Sequence, residues 1–222
     1  MAGRNYKPSP DTQKYLTAVN RDVLHQPLYD AVRFTATIAA GFNQTFFATP
    51  VGQGTGIGGG AKTELDTNMR LAGQVPRDHV FEVHSPRIMV AFDDVSSATI
   101  PSINQQADIL NDIMHGSFLR IRIVSAEKLL VPTWFLPGGS GIYGGVNQGF
   151  QAAAASFQTQ AVSHGHPSQM AAKALCYPIV IPPLQVFEVS MSFVRAVTFS
   201  AAVGGIIIWV LFDGILYRPA MP

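Results

Sequence analysis

Alternation of apolar and polar residues is the clearest pattern near the end of the chain. Over residues 187–193 every second position is apolar, which is typical of a strand with one buried face. Residues 206–211 form a continuous apolar run rich in β-branched side chains, as expected of a strand buried on both faces. Because glycine readily adopts positive φ, the pair at 204–205 predicts a turn between the two strands. We therefore expect residues 177–218 to form a long hairpin in the middle of a sheet.

Shorter stretches of the same alternation predict strands earlier in the chain. They cover residues 29–38, 44–49, 79–92, 118–124 and 128–135. A turn at 41–43 indicates that the first two of these strands form a hairpin. Apolar residues recur at spacings of three and four over 97–114, which predicts an amphipathic helix that ends at Gly116. The alanine-rich stretch 151–162 predicts a second helix.

This set of elements favours an all-β fold. About eight strands in short pairs, with few helices, exclude a doubly wound α/β fold. The sequence predicts a single eight-stranded antiparallel jelly-roll β-sandwich with one or two short helices and long loop insertions. Residues 1–26 are polar and are expected to form an N-terminal arm with a short helix capped by Asp11. The jelly-roll domain is expected to cover residues 27–222, with a loop and helical insertion at 137–173.

The chain is short of charge, and this changes where its apolar surface is expected to lie. Only 13% of the 222 residues are charged, about half of the usual share, while 47% are hydrophobic. The apolar run at 206–212 is much shorter than the roughly 20 residues of a membrane-spanning helix. Contacts between subunits are therefore the expected place for the excess apolar surface. A net charge of +1 gives no overall field that would attract nucleic acid, and the single Cys176 is expected to pack as a small hydrophobe.

One glycine-rich segment comes close to two nucleotide-binding motifs. Residues 54–59 fit the dinucleotide pattern G-x-G-x-x-G. Residues 56–63 nearly match the phosphate-binding loop, with Lys62 and Thr63 in place but Ala61 where the second glycine belongs. Both motifs need a helix directly behind the loop, and no apolar helical face follows here. The segment is therefore predicted to be a flexible surface loop that contacts other subunits.

The histidines are the residues most able to hold a metal. His164 and His166 form the H-x-H spacing that places two imidazoles on one side of a strand, as in the cupins. No acidic residue lies in 167–176, so a solvated loop is the preferred interpretation and a metal site the alternative. His79 and His84 differ by five positions and are expected on opposite faces of their strand.

The remaining polar groups lack the context that catalysis needs. Acidic pairs and one serine in a glycine-rich context are interpreted as surface residues: Asp93, Asp94, Asp108, Asp112 and Ser140. Arg120, Arg122 and Lys128 are expected to form a solvated basic strand face. The sequence therefore predicts no catalytic residue, no metal ligand and no cofactor, and a protein that is not an enzyme.

Three segments of this chain resemble a known family. They are residues 66–76, 136–141 and 210–219, placed respectively before a central strand, in a glycine-rich loop and at the end of the last strand. This layout, which extends over residues 28–219, resembles the jelly-roll capsid proteins, the virion structural proteins, of tailless icosahedral phages.

The resemblance implies a structural role. It implies self-assembly of many copies into an icosahedral shell within the virion, after synthesis in the host cytoplasm. The implied partners are copies of the chain itself, other virion proteins such as vertex or minor capsid proteins, and an underlying membrane or genome. Residues 1–26, 50–62 and 137–173 are the segments that we expect to contact neighbouring subunits.

Two other functions stay open at this stage. One is a cupin-like metal-dependent enzyme that uses His164 and His166. The other is a carbohydrate-binding β-sandwich module of a phage spike, which would need exposed aromatic residues. Trp134 and Tyr143 are available for that purpose, whereas Trp209 is expected to be buried.

Overall fold

The computed structural model describes residues 7–16, 21–92, 103–136, 143–149, 157–163, 174–199 and 204–220. Within these ranges lie eleven strands: β1 (Arg21–His25), β2 (Leu28–Phe34), β3 (Asn43–Phe46), β4 (Val80–Phe92), β5 (Ser117–Ile123), β6 (Ala126–Pro132), β7 (Tyr143–Gly149), β8 (Phe157–Ser163), β9 (Ile179–Ile181), β10 (Phe187–Phe193) and β11 (Ile206–Pro219). Two α-helices accompany them, α1 (Pro10–Gln13) and α2 (Ile103–Gly116), together with a short 3-10 helix, Thr133–Phe135.

Nine of these strands form two antiparallel sheets. In the first sheet the order is β1-β11-β4-β9, and β2 also pairs with β11. In the second sheet the order is β3-β10-β5-β6, and β7 pairs with β8 separately. β2 pairs with residues 206–212 and β1 with residues 215–219, so β1 and β2 occupy one position beside β11. The prediction of an all-β sandwich of antiparallel strands is confirmed, whereas the described strands number eleven rather than eight.

The pairing is nested along the chain. β5 pairs with β6, β4 with β9, β3 with β10 and β2 with β11, all antiparallel. Each pair therefore encloses the previous one in sequence, like successive parts of one long hairpin. Two further pairings, β11 with β4 and β10 with β5, join these pairs within the two sheets.

The core lies where aromatic residues from the two sheets meet. Phe47 stacks on Phe212 of the first sheet at a centroid distance of 5.0 Å and also contacts Phe187 of the second sheet at 5.6 Å. Phe34 and Phe193 form an edge contact between the sheets at 6.1 Å. Burial of large aromatic side chains is the main stabilising contribution that such a core can make.

The amphipathic helix predicted near residues 97–114 is present as α2. Leu110 and Ile113 are completely buried in the core, as the spacing of three and four indicates. α2 ends at Gly116, where an added Cβ would lie 3.2 Å from the Cβ of Arg195. The Oγ of Ser117, directly after the helix, donates to the carbonyl of Ile113 at 2.5 Å and secures this end.

The two predicted hairpins are wrong. β10 and β11 lie in different sheets, so these two strands do not pair with each other as a hairpin. β2 and β3 are likewise divided between the two sheets. Gly205 is required for a different reason, because a Cβ there would lie 2.6 Å from the carbonyl oxygen of Phe34.

Three local predictions also need correction. Residues 157–162 of the predicted second helix lie in β8, while residues 151–156 lie outside the described part of the chain. The N-cap of α1 is Ser9, whose Oγ accepts from the Thr12 amide at 3.2 Å, and Asp11 lies within the helix. In β11 buried and half-buried residues alternate, so the strand is not buried on both faces.

Candidate interaction surface

A buried lysine lies beneath the glycine-rich loop at 50–62. The Lys62 ammonium donates to Asp30 Oδ1 at 2.6 Å and to the carbonyl of Ala31 at 3.0 Å. Asp30 Oδ2 accepts from the Phe47 amide at 2.7 Å. Burial raises the pKa of Asp30 above its ordinary value, against the lowering effect of Lys62 and the Phe47 amide. This lysine, which fits the phosphate-binding motif in sequence, is therefore engaged inside the protein.

A second carboxylate organises the loop itself. Asp66 accepts from the Ile57 amide at 2.6 Å, the Thr63 amide at 2.7 Å and the Thr63 hydroxyl at 2.8 Å. Burial alone would raise the pKa of Asp66, but these hydrogen bonds and Lys62 hold it below its ordinary value. A Cβ at Gly56 would lie 2.7 Å from Asp66 Oδ2. Two of the loop amides that could receive a phosphate are thus occupied by a side chain of the protein.

The glycines at the tip of this loop have a different environment. A Cβ at Gly58 or Gly60 would meet open space, and neither residue has positive φ. Contacts and φ within this chain therefore do not require glycine at these two positions. The absence of side chains at these positions allows another backbone to approach closely.

Exposed apolar side chains lie at one end of the second sheet. The apolar patch consists of Val124, Leu184 and Val186, which are 68%, 50% and 53% exposed. The Val124 amide donates to the Val186 carbonyl at 2.7 Å, which joins the turn after β5 to the segment before β10. Val124 and Leu184 have φ of 59° and 54°. Positive φ is uncommon for residues other than glycine, so the backbone is unusual at these two exposed positions.

The N-terminal segment packs partly on its own domain. Phe81 and Val83 point into the core, so Glu82 between them points away from it. Glu82 is nevertheless buried, because Tyr217 Oη donates to Oε2 at 3.0 Å and the Ser9 amide to Oε1 at 3.3 Å. Residues near α1 thus cover this face of the first sheet, and β1 pairs with β11. Residues 9–12 and 21–25 of the predicted arm are therefore in contact with the sandwich.

One surface cleft, beside β2, has several polar groups that bind each other. It has a volume of about 490 Å³ and is lined by Tyr29, Asn68 and Arg70 among others. The Tyr29 hydroxyl donates to the carbonyl of Glu64, whose carboxylate accepts from Arg70 at 2.6 Å. The Asn68 amide group donates to the carbonyl of Pro27 at 2.7 Å. These bonds hold neighbouring loops together.

The histidines within the described residues do not form a metal site. His25 Nε2 lies 2.7 Å from Asp213 Oδ1, and Arg87 donates to Asp213 Oδ2 at 2.8 Å. His79 Nδ1 lies 2.9 Å from the carbonyl oxygen of Arg77. A group of three or more metal-binding side chains is absent from the described part of the chain. His164 and His166 lie outside that part, as do Asp93, Asp94 and Ser140.

One residue of the predicted basic strand face, Arg120, has an acidic and an aromatic neighbour. Arg120 Nε lies 3.1 Å from Glu127 Oε2, and its guanidinium carbon lies 5.8 Å from the centre of the Phe118 ring. These contacts neutralise part of the positive charge and cover it with an aromatic ring.

The structure shows how exposed the single cysteine and the two tryptophans are. Cys176 is exposed, so the prediction that it packs as a small hydrophobe is wrong. Trp134 is 52% exposed and Trp209 is half-buried rather than buried. Trp134 is therefore the more accessible of the two indoles for a ligand.

Comparison with known proteins adds no family to this picture. No protein-family model, curated protein or solved structure matches the chain. None of the helices in the described ranges is long and apolar enough to cross a membrane.

Proposed function

We propose that this chain is a jelly-roll capsid protein, a subunit without enzymatic activity that assembles with copies of itself into an icosahedral phage shell. The observation that supports this proposal most directly is the nested order of the strands. With β1 and β2 counted as one position, eight strands are divided equally between two four-stranded layers, and successive strands of these eight change layer except at the β5–β6 pair. Eight antiparallel strands in two layers are typical of jelly rolls, which occur in viral capsids, lectins and cupins, so this order supports the proposal.

The surface favours a capsid subunit among these three classes. Val186 precedes β10 and Val194 follows it, and their side chains are 53% and 67% exposed. Large apolar groups are therefore exposed at both ends of the second sheet, in a protein with only 13% charged residues. Contact surfaces between subunits are depleted of charge in the same manner.

The glycine-rich loop supports the same proposal. Gly58 and Gly60 meet no side chain of their own subunit, and their small size suits close approach of a neighbour. The Asp66 hydrogen bonds hold the base of the loop, so the tip is presented in a fixed position. Residues 50–62 are accordingly the part of the surface that we assign to contacts between copies.

The proposed function also implies a location and further partners for the subunit. Its location is the virion, after synthesis in the host cytoplasm. Its further partners are vertex or minor capsid proteins, together with the membrane or genome that the shell encloses.

Metal analysis distinguishes the cupin-like enzyme from the capsid protein. Its expected ligands are His164 and His166. Elemental analysis of the purified protein should find no stoichiometric transition metal. One bound metal per chain, lost in a His164→Ala variant, would favour the enzyme.

The direct test is assembly of the purified full chain. Sedimentation velocity over a range of protein concentrations should show a large species of uniform size, and electron microscopy should show closed particles. A chain that stays monomeric at every concentration, with or without co-expressed virion proteins, would overturn the proposal.

A further inference from the structure

A smaller cleft opens beside β9. Its volume is about 420 Å³, within the range of small-molecule sites. Residues 11–15 of the N-terminal segment form one wall, residues 177–185 on both sides of β9 form another, and the β5–β6 hairpin closes it through Ile123 and Lys128. Three separate parts of the chain thus converge on one concave surface.

Four of the polar side chains that line this cleft are unengaged among the described residues. Within the described part of the chain, the side chains of Tyr15, Tyr177, Lys128 and Gln185 make no hydrogen bond or ion pair. Two phenols, one ammonium and one carboxamide therefore offer donors and acceptors to anything that enters.

The aromatic residues provide flat apolar faces within this polar setting. Tyr177 is 63% exposed and Tyr15 is half-buried. Pro178 adds a further apolar surface beside them. A ring face next to hydroxyl and amide groups suits a ligand that is apolar on one side and polar at its edges, as a pyranose is. The Gln185 carboxamide can donate to one hydroxyl and accept from another.

The charges around the cleft favour an acidic sugar over a neutral one. Lys14 donates to Asp11 Oδ1 at 2.6 Å, and this pairing raises the pKa of Lys14. Lys128 is left as the cation without a carboxylate partner among the described residues of the cleft. An ammonium in this position prefers a carboxylate, because charge-assisted hydrogen bonds are stronger than neutral ones.

We propose that this cleft binds a pyranose that carries a carboxylate, that is, an acidic monosaccharide unit such as those at the surface of cells. Tyr177 stacks on the ring, Gln185 binds its hydroxyls and Lys128 pairs with the carboxylate. The proposal does not depend on assembly, because all of these residues belong to one chain. It goes beyond a purely structural role by giving the subunit a means of attachment to glycans.

The test is binding of free sugars to the full chain, measured by saturation-transfer NMR and calorimetry. The probes are N-acetylneuraminic acid and glucuronic acid, with glucose as a neutral control and inorganic phosphate as an anionic one. At least one acidic sugar should bind, and glucose and phosphate should bind at least about tenfold more weakly, since one charge-assisted bond or the stacking contact is missing. Equal binding of phosphate would overturn the assignment to a sugar, and so would absence of binding by both acidic sugars.

Two variants locate the site. Tyr177→Ala and Lys128→Gln should each lower affinity about tenfold, and their melting temperatures should stay unchanged because both side chains are exposed. Trp134→Ala removes an exposed aromatic residue outside the cleft and should leave binding intact. Binding that survives in both cleft variants, or that is lost only in Trp134→Ala, would overturn the proposal. Sedimentation of the same samples reports assembly separately, so that failure of the capsid proposal would be recognised independently.

Discussion

Lys62 and Asp30 form an ion pair inside the protein, with 2.6 Å between Nζ and Oδ1 and side chains that are 6% and 1% exposed. The pair joins the glycine-rich loop to β2, and through the Phe47 amide it also reaches the residue after β3. It therefore connects a surface loop to both sheets.

Removing one member of this pair should be strongly destabilising. Lys62→Met leaves the Asp30 carboxylate buried without its counter-ion, which costs about 3–5 kcal/mol. The free energy of unfolding in urea measures this loss. Arg70→Met, which breaks the exposed pair with Glu64, is the matched control and should cost less than about 1 kcal/mol. Equal effects of the two substitutions would contradict the structural role of Lys62.

Asp66 should make stability depend on pH. Its pKa is lowered in the folded state, so its contribution is complete above the ordinary pKa and is lost as pH falls through the lowered value. The difference in unfolding free energy between the wild type and Asp66→Asn should be largest at neutral pH and should shrink from about pH 4 downwards. A difference that stays constant over this range would contradict the role of the charged form. The raised pKa of Asp30 has the opposite effect on the free energy of unfolding. As pH falls, the folded state binds a proton at Asp30 before the unfolded state does, so this residue contributes more stability at lower pH.

Alanine at the tip of the glycine-rich loop should weaken assembly without lowering the stability of the fold. Gly58→Ala and Gly60→Ala meet no atoms within the subunit, so stability should be maintained or increased by about 0.4–1 kcal/mol. Assembly, followed by sedimentation, should be weaker because a neighbour is held away. Gly56→Ala is the control for folding, since its Cβ would collide with the Asp66 carboxylate and lower the melting temperature. Normal assembly of both tip variants would remove this loop from the contacts between subunits.

A charge at the apolar patch should also weaken assembly without preventing folding. Val186→Asp alters a residue that is 53% exposed, so the chain should fold and assemble poorly. Val189→Asp, three positions later, places a charge at a site with no exposure and should prevent folding, at a cost of several kcal/mol or more. Circular dichroism distinguishes these outcomes. If Val186→Asp assembles like the wild type, the patch is not a contact surface.

The strands and their buried faces could be predicted from the sequence, but their partners could not. Leu119, Ile121 and Ile123 are buried as the alternation in β5 indicates. β10 and β11 are strands, as the sequence predicts, yet they do not pair with each other as the expected hairpin. Two strands that face one core from opposite sheets have the same pattern as two neighbours in one sheet, so periodicity does not distinguish them.

The buried pair was missed for a related reason. Asp30 lies in a predicted strand and Lys62 lies in a loop, 32 positions apart, so no local pattern connects them. A signal was present nonetheless, because an isolated lysine in an almost uncharged loop is unusual in a chain with so few charges. Its position next to a strand aspartate depends on the path of the loop over the first sheet, which the sequence pattern does not define.

The nested pairing has a consequence for how the protein is made. Leu28 pairs with Phe212 and Tyr29 with Leu211, so the first sheet joins residues near opposite ends of the chain. A ribosome that has not yet released β11 leaves β2 and β4 without the strand that lies between them. Folding dominated by such distant pairings is slow, and unpaired strand edges in the meantime promote aggregation. The nascent chain should therefore depend on chaperones until synthesis is complete.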